Sequence, residues 1–434
     1  MTESLIAFGV VLILAFLGIP LAFATLLVGF GGFWLLRGAD AGLSVSSQWI
    51  IDTATNYNLS VIPLFVLMGA FIHRSGIAQE LFDASYAWMG RFKGGLAMST
   101  IFSCAGFAAV CGSSLATAAT MSRVSIPSMR KYAYHDGFSA GTVAAGGTLG
   151  IMIPPSVPLV IYGIVANEDI GKLFIAGILP GILLVLSFIA AVFILTSIKP
   201  HVGPKGDKLD WSAIIKASLP VWPVMLLFGL VLGGIYGGLF TPTEAAGVGA
   251  FGSWLFGFIR GHFRSINSLI SIGKEVLTTS SMIFAILFGA LVLTQFVNVT
   301  GMPYELLDWV SEQQLSPTQL VLMICLICGL LGMVFESIGI LLLVVPVFMP
   351  SLSALGIDLI WFGIVMIIVI ELGLITPPIG LNVFTVKAVA PEIPLSKIFI
   401  GVSPFIVAMV ASLLLIAWVP AIATWLPSAM SSGF

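Results

Sequence analysis

Charge is what this sequence has least of. Lys, Arg, Asp and Glu make up only 8% of its 434 residues, whereas 59% are hydrophobic and the mean hydropathy is +1.14. That leaves too few polar side chains to coat a soluble core, so a water-soluble globular fold is excluded. The net charge of −2 names no partner, and no basic patch points to nucleic acid. Cysteine is sparse too. Cys104, Cys111, Cys325 and Cys328 all sit inside apolar runs. The CxxC of Cys325 and Cys328 lacks the polar company a metal or redox site needs, so all four read as small core hydrophobes. There is no Walker A sequence and no large soluble segment, which excludes ATP as a direct energy source within the chain. No HExxH occurs, and the GSSLA stretch at Ser113-Ser114 lacks the second glycine of a nucleophile elbow, so nothing points to an intramembrane protease. The first apolar run follows no basic n-region and is read as a spanning segment rather than a cleaved signal.

What is present is a succession of apolar runs of about 20 residues, the length a spanning helix needs and not the short alternating segments of a barrel. One stretch occurs twice. Gly150-Ile151-Met152-Ile153-Pro154-Pro155 returns 223 residues later as Gly373-Leu374-Ile375-Thr376-Pro377-Pro378. The same spacing pairs Ser114 with Ser337 and Pro127-Ser128 with Pro350-Ser351. Looser landmarks continue the register, among them Pro20 with Pro242, Gly76 with Gly301, Glu80 with Glu305 and Pro180 with Pro404. The chain is therefore an internal duplication over nearly its whole length. Two adjacent prolines remove two amide donors, so each copy carries a broken membrane helix with free carbonyls.

The expected fold is an all-α polytopic membrane protein made of two inverted-topology repeats, each with a re-entrant hairpin and a Pro-Pro broken helix. In the first repeat, 1–197, scaffold helices occupy 1–72, an interfacial amphipathic helix 73–95, hairpin one 97–130, the broken helix 138–165 and a final helix 173–197. A loop around Arg37 and Asp40 interrupts the scaffold helices of the first repeat, and in the second a basic loop separates the run Ala245 to Ile259 from the run Thr278 to Val297. A polar linker, 198–216, leads to the second repeat, 217–434, with scaffold helices 217–297, an interfacial helix 303–313, hairpin two 318–351, the broken helix 359–387 and a closing helix 398–420. If neither hairpin crosses, each half has an odd number of crossings and the second copy is upside down. The positive-inside rule agrees. With the linker cytoplasmic and both termini periplasmic, only Arg37 and Lys172 of 17 basic residues fall outside. Interrupted helices in matching halves place a binding site where the repeats meet, as in a secondary transporter.

Hydroxyls and freed carbonyls suit Na⁺, a hard cation, without the cost of burying a carboxylate. Ser113, Ser114 and Thr117 at the first tip, with carbonyls near Gly150 and Pro154, form one candidate Na⁺ site. Ser337, carbonyls around Phe335 and Gly339, and Thr376 with Pro377 form its mirror copy. Asn382 stands where the first repeat has Leu159 and is a candidate substrate contact, with Thr148 and Ser156 as further ones. Glu336 at the second tip is a candidate for substrate contact or proton transfer. Glu244 reads as a helix cap, Arg123 as a residue snorkelling to the interface, and Glu371 is given no role. Polar residues gathered at two tips and two breaks disfavour a channel, which needs a continuous polar lining. A stand-alone symporter and proton coupling through Glu336 remain open.

Several motifs carry a resemblance. CGSSLATAAT (111–120), GGTLGIMIPPSVPLVIYG (146–163), LFIAGILPG (173–181), TPTEAAG (241–247), GLITPPIGLNVF (373–384) and VAP (389–391) are similar to the large membrane subunit of the tripartite ATP-independent periplasmic (TRAP) transporters. The resemblance runs from the first helix to the last. It implies an elevator-type importer in a bacterial inner membrane, driven by Na⁺, moving an organic acid anion delivered by a periplasmic binding protein. It also implies a small four-helix membrane subunit as a separate chain, with membrane lipids around both. The family's ion ligands fall on Ser113, Ser114, Gly150, Pro154, Ser337, Thr376 and Pro377, and the acidic residue at the second tip, often Asp in relatives, is Glu336 here.

Overall fold

The structure, a computed structural model, describes residues 2–431. Met1 and residues 432–434 lie outside the described residues, and with them the chain ends whose periplasmic side the charge pattern predicts. The described residues form 21 α-helices and three short 3₁₀ turns, without a strand. The chain is an all-α polytopic membrane protein. Six of its helices are long and apolar enough to cross a membrane, or seven if one bent pair is counted as a span.

The first half opens with α1 (Thr2–Phe16) and α2 (Leu21–Arg37), parted at Gly18-Ile19-Pro20, then α3 (Ala39–Thr55), α4 (Val61–Arg74) and α5 (Ile77–Met89). Two helices joined at Gly112-Ser113 follow, α6 (Gly95–Cys111) and α7 (Ser114–Lys131). Next come α8 (Asp136–Met152) and α9 (Val157–Ala166), bent by 42° across the break that holds Pro154 and Pro155, and the long α10 (Ile170–Ile198). The second half begins with α11 (Trp211–Ser218), α12 (Trp222–Tyr236), α13 (Pro242–Ile259), α14 (Ile266–Val299) and α15 (Met302–Glu312). A second joined pair, α16 (Pro317–Gly332) and α17 (Ser337–Ala354), precedes a second interrupted pair, α18 (Leu359–Ile375) and α19 (Leu381–Val389). The chain closes with α20 (Leu395–Trp418) and α21 (Ala421–Ser431). From α5 to α10 and from α15 to α20 the order of long, joined and interrupted helices is the same.

Caps written in the sequence set many of these starts. Ser156, Asp169, Asp210 and Asp358 each accept a backbone amide at the head of their helix. Thr241 with Glu244, and Ser316 with Gln319, close reciprocal capping boxes on α13 and α16. Four stretches differ from the sequence reading. The expected loop around Asp40 is the helix α3, whose buried stripe is Gly42, Ser46 and Thr53. Those small, mostly polar residues recur at helical spacing and pack on α2, so apolar periodicity does not flag them. The linker contains α11, capped by Asp210. The basic loop before residue 278 is instead the first third of α14, where Ile272 and Val276 pack with Phe71 and Phe263. After α20 the chain adds α21, beyond the predicted last helix.

Burial separates an inner from an outer set. α8 is buried at every position from Gly137 to Met152, and α18 is buried along most of its length. By contrast α10, α12 and α20 present Leu186, Phe193, Met225, Leu226, Val407 and Leu414 outward, the surface a helix shows to lipid. With α6 and α17, α8 and α18 form the inside, whereas the hairpin arm α16 still exposes Leu322, Leu326 and Leu330.

At one end of the molecule, outside the spans, Arg130 pairs with Asp136 at 2.7 Å and with Glu392. Glu392's own backbone amide, and then Arg130, hold that carboxyl below its ordinary range. The contact ties the foot of hairpin one to the loop after α19.

Candidate functional site

Both joined pairs turn at tips that face one cavity of about 340 Å³. Ser113 and Ser114 reach it from the first tip, and Glu336 and Ser337 from the second. Val157 and Pro158 at the head of α9 and Leu381 at the head of α19 also line it, as do Cys111, Ile151 and Leu374 near the ends of α6, α8 and α18. Four helices therefore begin on this cavity, and α6, α8 and α18 end on it. Helix N-termini present amide donors and positive potential, which suit an anion, whereas C-termini present carbonyls, which suit a cation. The far wall belongs to α4 and α14, through Val66, Gly69, His73, Glu275 and Thr279.

The first tip is packed against the first break with almost no slack. Gly112 adopts φ +64°, and a methyl group there would lie 2.8 Å from the Pro155 carbonyl oxygen. A methyl on Gly150 would lie 2.5 Å from the carbonyl oxygen of Ser113. Only glycine allows both approaches. The Ser113 hydroxyl accepts the Ala116 amide at 3.4 Å and so caps α7, while its carbonyl accepts the Thr117 hydroxyl at 2.8 Å. At the second break the Gly380 amide donates to the Met333 carbonyl at 3.2 Å, and Gly373 sits against the backbone of Gly332. Thr376 is half-buried, its hydroxyl donating to Leu372 at 2.6 Å, and Pro377 is exposed. Pro154 is buried, Gly339 is tucked against Leu21, and Phe335 packs edge-on against Phe16.

The structure brings Ser113, Ser114, Glu336 and Ser337 together around the cavity. Thr117 and Gly150 stand behind the first tip, fully buried. Three candidate substrate residues are placed away from the lining. The Thr148 hydroxyl donates to Ala145 at 2.6 Å, Ser156 caps α9 through the Leu159 amide, and Asn382 is fully buried with its amide donating to the Ala144 carbonyl at 3.4 Å. Among the described residues no three His, Cys, Asp or Glu side chains converge as a metal cluster. The cation ligands on offer are hydroxyls and carbonyls.

Two ionisable residues of the site were not legible as such. Arg123 lines the cavity, exposed and without an ion pair among the described residues. On α7 it follows Ala116 and Ala119 at steps of three and four, so all three share a line down the cavity wall. That spacing from the tip was the available signal. Glu371, fully buried on α18, accepts the Ser114 hydroxyl at 2.6 Å. No spacing rule within one repeat finds it, because the contact is made across the two repeats. At the rim, His73 Nδ1 lies 2.6 Å from the Thr120 hydroxyl, and Arg74 pairs with Glu275 at 2.5 Å and Ser271 at 2.9 Å.

Interrupted helices that deliver tips, carbonyls and helix heads to a central cavity define a multi-pass membrane permease. The structure is similar to the YdaH transporter of Alcanivorax borkumensis, with a TM-score of 0.62 at 15% identity over 92% of this chain and 90% of that one, a likeness of fold. Residues 8–422 match the family described as tripartite ATP-independent periplasmic transporter, DctM component, and the chain belongs to that family. It is 35% identical over 399 residues to the C4-dicarboxylate TRAP transporter large permease protein DctM of Pseudomonas aeruginosa, covering 91% of both chains. Identity is 32% over 415 residues with the sialic acid TRAP transporter large permease protein SiaM of Vibrio cholerae, covering 95% of this chain and 96% of that one. It is 30% over 409 residues with the ectoine TRAP transporter large permease protein TeaC of Halomonas elongata, covering 94% of each.

Proposed function

We propose that the chain is the large transmembrane subunit of a Na⁺-coupled importer for a small organic acid anion. The observation that carries this reading is the shared cavity, where two hairpin tips, four helix heads and Arg123 surround a space suited to a small carboxylate. A guanidinium without a carboxylate partner among the described residues and converging amide donors favour an anion. Serine hydroxyls and carbonyls at the tips favour a monovalent cation beside it. C4-dicarboxylates, other carboxylates and sugar acids all fall within this chemistry, and the dicarboxylate and sialic acid systems among the relatives are of that kind.

In this reading hairpins and broken helices form a transport body that slides against a scaffold of outer helices. The His73 to Thr120 and Arg74 to Glu275 contacts lie near the border of the two. A small four-helix membrane subunit completes the scaffold and a periplasmic binding protein delivers the substrate. The linker is cytoplasmic and the hairpins enter from opposite faces. Reconstituted in liposomes with both partners, the protein accumulates substrate only under an inward Na⁺ gradient. Downhill flux that needs neither gradient nor partner would refute the assignment, and uptake that survives removal of the binding protein would make it a stand-alone symporter.

A further inference from the structure

Glu371 is the least expected group in the molecule. It sits on α18 with a relative exposure of 0%. One carboxylate oxygen accepts the Ser114 hydroxyl, and the other, Oε2, has no hydrogen-bond partner. No Lys, Arg or His side chain among the described residues pairs with it. An unpaired carboxylate within a membrane protein is costly, and groups left in that condition mark a place where a counter-charge is expected. The contact it does make reaches the other repeat, at the tip whose backbone touches Gly150.

Resting on the Na⁺-coupled reading above, we propose that Glu371 is the anionic partner of the cation held at the first tip, acting through Ser114 across the repeat boundary. The Ser114 hydroxyl has one proton and two lone pairs. Its proton is committed to Glu371, so both lone pairs are left for a cation, and donation to an anion makes that oxygen a stronger ligand. With the cation in place, a carboxylate at Glu371 also offsets the monovalent charge, which hydroxyls and carbonyls alone do not. Asn382 closes the same region from α19. Its Nδ2 and the Ser114 carbonyl each lie 3.2 Å from where a methyl on Gly147 would be, and its Oδ1 is buried without a partner. The second repeat thereby supplies the charge for a site whose ligands belong to the first, so filling that site stiffens the junction between them.

The test uses the purified complete transporter in detergent without substrate, and reads the rise in unfolding temperature as Na⁺ replaces choline. In the wild type the rise saturates. Glu371→Gln keeps size and an acceptor for Ser114 but removes the charge, and its Na⁺ midpoint is expected to rise roughly tenfold or more. Glu371→Asp, which keeps charge but shortens the reach, is expected to fall between the two. In a Ser114→Ala background, Glu371→Gln should add little, because the bridge is already gone. A wild type that shows no Na⁺-dependent rise would remove the Na⁺ reading and this proposal together. A wild type that responds, with a Glu371→Gln midpoint unchanged, overturns the proposal alone. Should Glu371→Gln fail to fold, a wild-type midpoint in Glu371→Asp would overturn it equally, and a purely structural role would lower stability alike in choline and Na⁺.

Discussion

Replacing Gly150 with alanine tests whether the first tip is held as tightly as the structure shows. The added methyl meets the Ser113 carbonyl oxygen at 2.5 Å, its carbon at 2.7 Å and the Ser114 Cα at 2.8 Å. An ordinary carbon-to-oxygen contact is about 3.3 Å or longer, so the tip must retreat by roughly 0.8 Å. Nothing nearby is the far end of a flexible side chain, since all three obstacles are backbone or Cα atoms. Alanine would otherwise favour a helix interior by about 0.5–1 kcal/mol, whereas overpacking of a filled interior costs about 1–3 kcal/mol. The clash wins, and net destabilisation of about 1–2 kcal/mol is expected. Gly247→Ala in α13 is the control, because a methyl there meets nothing within 4 Å. Thermal unfolding of the two variants in choline gives the stability difference. Titration with Na⁺ then reads the displaced Ser113 carbonyl as a raised midpoint in Gly150→Ala only. If Gly150→Ala unfolds with Gly247→Ala and binds Na⁺ as the wild type does, the tip is looser than the structure shows and the reasoning fails.

Other variants separate the roles assigned around the cavity. Arg123→Ala should raise the KM for an anionic substrate tenfold or more while leaving the Na⁺ midpoint in place, with Arg123→Lys recovering part of the loss; an unchanged KM would return Arg123 to an interfacial role. Ser114→Ala and Thr376→Ala should each raise the Na⁺ requirement for uptake, and unchanged Na⁺ dependence in both would count against the two ion sites. Glu336→Gln should retain Na⁺-driven uptake; if accumulation instead follows only a proton gradient in the wild type and is lost in this variant, the coupling ion is H⁺.

The sequence alone determined the class of fold and where its helices are interrupted. Scarce charge and long apolar runs require membrane helices, because lipid offers no partner to an unsatisfied backbone. Two Pro-Pro pairs and their companion serines, repeated at one spacing, mark where helices must break, and the breaks and tips stand where those residues put them. Small-residue faces were harder to see. α3 buries Gly42, Ser46 and Thr53, and nothing in hydropathy separates such a stripe from a loop. Only the tertiary structure decided which tips share a cavity, that Arg123 faces it, that Thr148, Ser156 and Asn382 do not, and that Glu371 of one repeat holds Ser114 of the other. These are contacts between segments far apart in sequence, fixed by how closely glycine-lined backbones approach. Local spacing carries the period of a helix, but which helix it meets is settled by packing.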